Sequence, residues 1–484
     1  MTTLPVQHAP LVLHPDRFLD PEPATRRAAR AILEVTAPLP IVSPHGHVEP
    51  RLLADDVPFT DATSLIVVPD HYIHRMLYSQ GVPIESLGVP TRDGTPFERD
   101  PRTAWRRFAA HVHLFIGTPT GAWLDHVLAE TLQVPVRLSA ETADHVYEAI
   151  GERLADPAFR PRALFERFGI EVLATTDAAT DSLAHHAALQ ASRWPGRVVP
   201  TFRPDAVMRI GRPEWRTHHA ALEAIAGMPL RRYDAFLEAL AARRRFFLAH
   251  GATATDHAVV TPATGWLAPA ELSRCFEAAL AGTATLEDEA RFAAHFLMDM
   301  ARLSLDDGLV MQLHPGALRD TNPLVLGRFG MDAGADIPVA TEYTRNLLPL
   351  LQAFGNDPRL TLVVFTLDET AYARELAPLA GHWPAMRLGA PWWFHDSPEG
   401  MLRFRRRTSE TAGIHNTVGF TDDTRAFCSI PARHDLARRI DASWLGSLVA
   451  RHQVGLDDAI TMARLLAYEL PRRAYRFDRP AEAA

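Results

Sequence analysis

The chain of 484 residues contains no lysine; all fifty of its basic residues are arginine. That absence excludes several chemistries at once. No Schiff base, pyridoxal-phosphate anchor, P-loop lysine or carbamylated-lysine bridge between two metals can form. Cysteine is scarce as well. Cys275 and Cys428 stand far apart and in no metal-ligand spacing, so a disulfide scaffold is excluded and a reducing, cytoplasmic setting is expected. No apolar run reaches the roughly 18 residues that a membrane span requires. The opening MTTLPVQHAPLVLHPDRF has neither the basic start nor the apolar centre of a secretion signal. Basic residues form no stripe or tail, and the formal net charge is −8. Nucleic acid and membrane are therefore not expected partners. A small anion is compatible, provided that local arginines hold it against the overall field.

What the chain does have is apolar content, 47%, and a strand–helix alternation. Eight short β-prone runs can be read: IVSP (41–44), EVLATT (171–176), VVPTF (198–202), ATATDHA (252–258), LVMQLH (309–314), TLVVFT (361–366), MRLGA (386–390) and NTVGF (416–420). Amphipathic stretches such as 232–250 and 286–305 lie between several of them. Alternating strands and helices predict βαβ units and a parallel sheet, and eight units predict a (β/α)₈ barrel of the TIM type with its site at the C-terminal strand ends. The gap after the first run is too long for a simple connection. The reading is therefore an N-terminal segment with the first strand (1–50), a mainly helical insertion (51–165) above that strand, the rest of the barrel (166–431) and a C-terminal helical segment (432–484).

Polar groups gather where these runs end. PHGHVEP (44–50) follows the first run, and residues i and i+2 of a strand face the same way, so His45 and His47 can aim at one point. The second run leads into Thr175, Thr176 and Asp177, and the third into Arg203, Pro204 and Asp205. The fourth holds Asp256 and His257, the fifth ends in His314, and the eighth leads into Asp422, Asp423 and Arg425. One strand-end histidine is usually a hydrogen-bonded structural residue; several at the same end point to a site. The H-x-H pair plus a carboxylate from the last strand suits one divalent ion completed by water: zinc first, with manganese or iron accepting the same ligands. DHYIHRM (70–76) brings Asp70, His71, Tyr72 and Arg75 together in the insertion. A plainer reading is a helix start capped by Asp70. APWWFHD (390–396) sets Trp392 and Trp393 at the seventh strand end, where an indole face suits a sugar or serves as packing.

Taken together, these motifs resemble the uronate (glucuronate) isomerase family of the amidohydrolase superfamily. The resemblance spans nearly the whole chain in order: H-x-H (45–47), DHY..R (70–75), ATTDAATDSLAHH (174–186), PTFRPD (200–205), MQLHPGALRDTN (311–322), MDAGADIP (331–338), GAPWWFHD (389–396) and GFTDDTRAF with RHDLARR (419–439). By position it implies His45, His47 and Asp423 as metal ligands and Arg425 as an active-site arginine. It implies His71 and Tyr72 as the pair lining the substrate site, and Arg203 and Arg75 as partners for a substrate carboxylate. His314 would be a further ligand or hydrogen-bond donor, and Trp393 would face the sugar. The chain departs from the family pattern at Ser43, Gly46-His47-Val48, Ala178-Ala179, Asp422-Asp423-Thr424-Arg425 and His395.

The resemblance implies an aldose–ketose isomerase that converts D-glucuronate to D-fructuronate, or D-galacturonate to D-tagaturonate, through a cis-enediolate at a single metal. Asp423, or a water that it shares with the metal, would take the carbon-bound proton, while Tyr72 or His71 would serve the oxygens. Two other readings use the same residues. One is a mononuclear metal-dependent hydrolase of a lactone, amide or ester; the other is an inactive sugar-acid binder. A homo-oligomer is compatible with all three.

Overall fold

A computed structural model describes residues 10–478; positions 1–9 and 479–484, at the ends of the predicted terminal segments, lie outside the described residues. The β-branched runs form β1 (Ile41–Ser43), β2 (Ile170–Ala174), β3 (Asp177–Ala178), β4 (Arg197–Val199), β5 (Phe202–Arg203), β6 (Ala254–Val259), β7 (Val310–Pro315), β8 (Ala317–Leu318), β9 (Ile337–Pro338), β10 (Leu362–Val364) and β11 (Met386–Leu388). β8 and β9 make a small antiparallel ribbon. The others pair in parallel, in ladders ordered β1-β2-β4 and β11-β10-β7-β6-β5-β3.

β2 and β3 are two halves of one extended path, as are β4 and β5. Pro200, which has no N–H to give a ladder, stands at the second break. Backbone bonds from Thr175 to Val199 (2.9 Å) and from Asp177 to Thr201 (3.0 Å) carry the pairing across both breaks. The parallel segments thus lie side by side in chain order with helices between them, an α/β fold. The predicted eighth strand is the exception. NTVGF keeps an isolated parallel bridge between Thr417 and Leu388 and forms no regular strand, because Gly419 at φ +79° turns the backbone out of the β region.

Strand alternation sorts the side chains into two cores. Val42, Val172, Val199, Ala254, Val310, Val363 and Val418 meet in one buried cluster, joined by Tyr475 and Phe477. The Tyr475 hydroxyl donates to Gln312 Oε1 at 2.9 Å. Met311, Leu313, Leu362, Val364, Met386 and Leu388 face the other way. They pack under helices that include Tyr233–Ala249, Leu286–Asp307 and Thr344–Phe354. Burying each such side chain contributes about 1.5–3 kcal/mol before entropy is charged.

The named elements between β1 and β2 are all helical. Trp105, Phe108, Phe115 and Leu128 share a core with Ile41, Ile170 and Leu173, which seats those helices against the first strands. Near the C-terminus, helix Ile430–Ala450 is buried along most of its length. Its Ala442 and Leu445 pack against Ala29 and Ile32 of helix Pro23–Thr36. Among the described residues no helix is long and apolar enough to cross a membrane.

Candidate active site

The segment after β1 leaves the ladder at Pro44 and is met by the last strand-end loop. His47 N–H donates to the Thr424 carbonyl (2.9 Å) and Asp423 N–H to that of His45 (3.2 Å). These bonds set Asp423 against both imidazoles. Its Oδ1 lies 3.0 Å from His47 Nε2 and 3.5 Å from His45 Nε2. Asp423 takes φ +41°, a conformation that costs a non-glycine residue about 1–3 kcal/mol and clusters at functional sites. Its neighbour Asp422 points away and accepts from His434 Nε2 at 2.9 Å. Of the two aspartates the sequence offered, Asp423 faces the imidazoles.

β7 supplies the third histidine. His314 Nδ1 donates to Asp256 Oδ1 of β6 at 2.7 Å, the carboxylate–histidine contact that fixes a ligand's tautomer. Its Nε2 is then a lone pair, buried and without a hydrogen-bond partner. The rings of His45 and His314 stack at 4.6 Å. His45, His314 and Asp423 each offer a donor atom within 4.8 Å of the others'. Ligand atoms about 2.1 Å from one ion stand about 3.0–3.4 Å apart; the His47 distance to Asp423 falls in that range and the His45 distance lies just beyond it. Burial pushes His45 down to about 3 and keeps it neutral. Burial opposes ionisation of Asp423 as well, but the imidazoles of His45 and His47 outweigh it and hold the carboxyl well below the usual range. A neutral His45, an ionised Asp423 and the orphaned buried Nε2 of His314 fit a divalent cation. His314, expected as a further ligand or hydrogen-bond donor, thereby sits with the other donor atoms.

The other walls come from distant segments. Asp70 caps helix His71–Ser79, accepting from the Tyr72 N–H at 2.8 Å. The cap fixes the first turn, so His71 and Tyr72 both face a cleft shared with the histidines. The cap reading of DHYIHRM holds, and the same turn sets His71 and Tyr72 on the cleft wall. Burial drives His71 down to about 3, and a neutral imidazole results. Trp393, at φ +46°, packs edge-on to His71 with centroids 5.7 Å apart. The Arg319 guanidinium lies 5.0 Å over its ring.

Arg203, Arg319, Arg425 and Arg433 line the cleft, each tied to a carboxylate. Arg203 Nε sits 2.7 Å from Asp205 and 3.5 Å from Asp256. Asp332 takes Arg425 at 2.8 Å and Arg319 at 3.3 Å. Burial works against the charge on Asp332, but Arg425 and Arg319 hold it down at about 2. Arg75 is placed elsewhere. Its guanidinium covers the Phe394 ring at 4.4 Å, away from the cleft wall.

Sequence reasoning noted Asp256 at its strand end without giving it a role, and passed over Arg319, Asp332, Asp396 and Arg433 as site residues. Asp256 had a signal: Ala254 faces the inner cluster, so the same-face residue is Asp256, and His257 turns outward to Thr255. Arg319, Asp332 and Asp396 lay inside quoted motifs without a rule to single them out. Arg433 arrives from the C-terminal helix, and no local pattern announces it.

The glucuronate isomerase family profile matches residues 18–475. A uronate isomerase of Phenylobacterium zucineum is 54% identical over 98% of both chains. The crystal structure of glucuronate isomerase from Caulobacter crescentus superposes with a TM-score of 0.95 at 49% identity, covering 98% of each chain. That of uronate isomerase from Thermotoga maritima gives 0.89 at 27%, covering 96% of this chain and 99% of the other. With a fold and a nearly full-length sequence in common, the chain belongs to the glucuronate isomerase family and is a uronate isomerase.

Proposed function

We propose that the enzyme interconverts an open-chain hexuronate aldose and its 2-ketose, D-glucuronate with D-fructuronate or D-galacturonate with D-tagaturonate, through a cis-enediolate. The observation that carries this is the meeting of His45, His47, His314 and Asp423 with Tyr72, His71 and the arginines in one cleft. A divalent ion held by His45, His47, His314 and Asp423, zinc first and manganese or iron as alternatives, would draw charge from the two oxygens of the enediolate.

The chain's own groups do the rest. Asp423, kept ionised, takes the proton from C2 and returns it at C1. Tyr72 and the neutral His71 exchange protons with the substrate oxygens. Arg425 and Arg319 at the rim, with Arg203 deeper, oppose the carboxylate at C6. Arg425 is the most open of these, 38% exposed and held by Asp332. Trp393 offers a face for the carbon skeleton. The chain-order pairing, the inner valine cluster and the bonds at 45–47 to 423–424 support closure as a (β/α)₈ barrel. In that barrel 51–165 is an insertion over the mouth, and 432–478 is a helical segment that reaches inward, with Arg433 at the cleft and Tyr475 and Phe477 in the inner cluster. The two buried free cysteines favour a cytoplasmic setting, and a homo-oligomer is compatible.

Incubation of purified protein with D-glucuronate and D-galacturonate tests this reading. Formation of a ketose of unchanged mass is expected from at least one. No ketose from any hexuronate with metal bound would overturn it, and a product heavier by one water would favour a hydrolase.

A further inference from the structure

Behind Tyr72 lies a buried junction that the family assignment does not explain. The Tyr72 hydroxyl does not donate into the cleft; it donates to Asp396 Oδ2 at 3.0 Å. Arg433 Nη1 donates to the same oxygen at 2.7 Å. The guanidinium is itself fixed, 3.7 Å over the Trp123 ring, with Nε on Ser429 Oγ at 3.3 Å. Three segments thus converge on one carboxylate: the helix that carries Tyr72, the loop after β11 and helix Ile430–Ala450. The neighbouring His395 takes no part, because its ring nitrogens face Glu369 and the Leu367 carbonyl, both at 2.9 Å.

We propose that Tyr72 and Asp396 form a two-proton relay, with Arg433 as the clamp that holds Asp396 in line. The proposal rests on the reading of Tyr72 as the group that serves the substrate oxygens. A phenol whose hydrogen is committed to a carboxylate presents a lone pair to the cleft. As the hydroxyl at C2 becomes a carbonyl, its O–H bond breaks and a new O–H bond forms on Tyr72 Oη. The phenol's own O–H bond breaks as one forms on Asp396 Oδ2. The electron pair stays on the substrate oxygen. Reversal delivers the proton to O1 as the old carbonyl becomes a hydroxyl, so no proton is gained or lost over the turnover.

Tyr72 never has to exist as a phenolate, which its surroundings disfavour: burial first, and then the charge of Asp396, push its ionisation far above the ordinary value. Burial raises Asp396 up to about 6, against the opposing pull of Arg433 and the Tyr72 hydrogen bond. Tyr72 and Arg433 are the charged or titratable groups bonded to Asp396, and Asp70 faces Arg433 from beyond. The relay needs Asp396 ionised, so kcat falls as pH drops through about 6.

Asp396→Asn tests the relay, because the amide oxygen still accepts the hydrogen bond but takes up no proton. A loss in kcat of about 100-fold is expected, with KM within about threefold. Metal content should be unchanged, and the acid limb of the kcat profile should disappear. In mixtures of H₂O and D₂O, wild-type kcat should bow below a straight line, the mark of two protons in motion. Wild-type kcat and an intact acid limb in Asp396→Asn would overturn the relay while leaving Tyr72 in place. So would a loss confined to KM or to metal content. If that variant fails to fold, the wild-type solvent dependence decides, and a straight line rejects the relay. Tyr72→Phe turning over at the wild-type rate would instead remove the role of Tyr72 itself, and the relay with it.

Discussion

Asp423→Asn is expected to bind hexuronate and to lose about 10³-fold or more in kcat. The substitution keeps the shape of the side chain and removes its charge and basicity. Asp423 is over 90% buried, with Oδ1 3.0 Å from His47 Nε2 and 3.5 Å from His45 Nε2. An amide there neither takes the C2 proton nor balances a dication. Steady-state kinetics, with hexuronate affinity measured separately by calorimetry, check both halves of the expectation. An inactive binding protein would show no turnover to lose and would keep its affinity. A wild-type rate in the variant would mean that the carbon-bound proton is handled by another group.

The second large effect is expected from stripping the metal. Prolonged chelation followed by gel filtration should reduce the rate by about 100-fold or more, since a Lewis acid supplies several kcal/mol to a charged transition state. Adding back one equivalent of a divalent ion should restore it. One equivalent is expected because the chain has no lysine to carbamylate and bridge a pair. A chelated enzyme that retains full activity, or one that needs two equivalents, would contradict the single-ion donor set. Zinc, manganese and iron added separately would rank the native metal.

Much of this was readable from residue order alone, for physical reasons. β-branched runs with helical stretches between them can form little but parallel strands, and period-two alternation puts Asp256, not His257, on the inner face; His45 and His47 stand just past their strand, where backbone bonds to 423–424 bring them together. The eighth strand was misread because NTVGF looks β-prone until Gly419 adopts a positive φ that only the folded context reveals. DHYIHRM kept two readings open because a helix cap and a site wall are compatible roles for adjacent residues. The arginines were hardest. Arg75 and Arg203 look alike in sequence, yet one lies over Phe394 and the other reaches Asp256. Contacts such as Tyr72 to Asp396, separated by 324 positions, are made by tertiary packing alone. No spacing rule encodes them.

The most direct test is crystallographic. Crystals soaked in zinc and measured at the zinc edge should show one strong anomalous peak within about 2.0–2.2 Å of donor atoms from His45, His314 and Asp423, with His47 beside them. A peak elsewhere, or none at a concentration that saturates activity, would contradict the convergence on which the proposed chemistry depends.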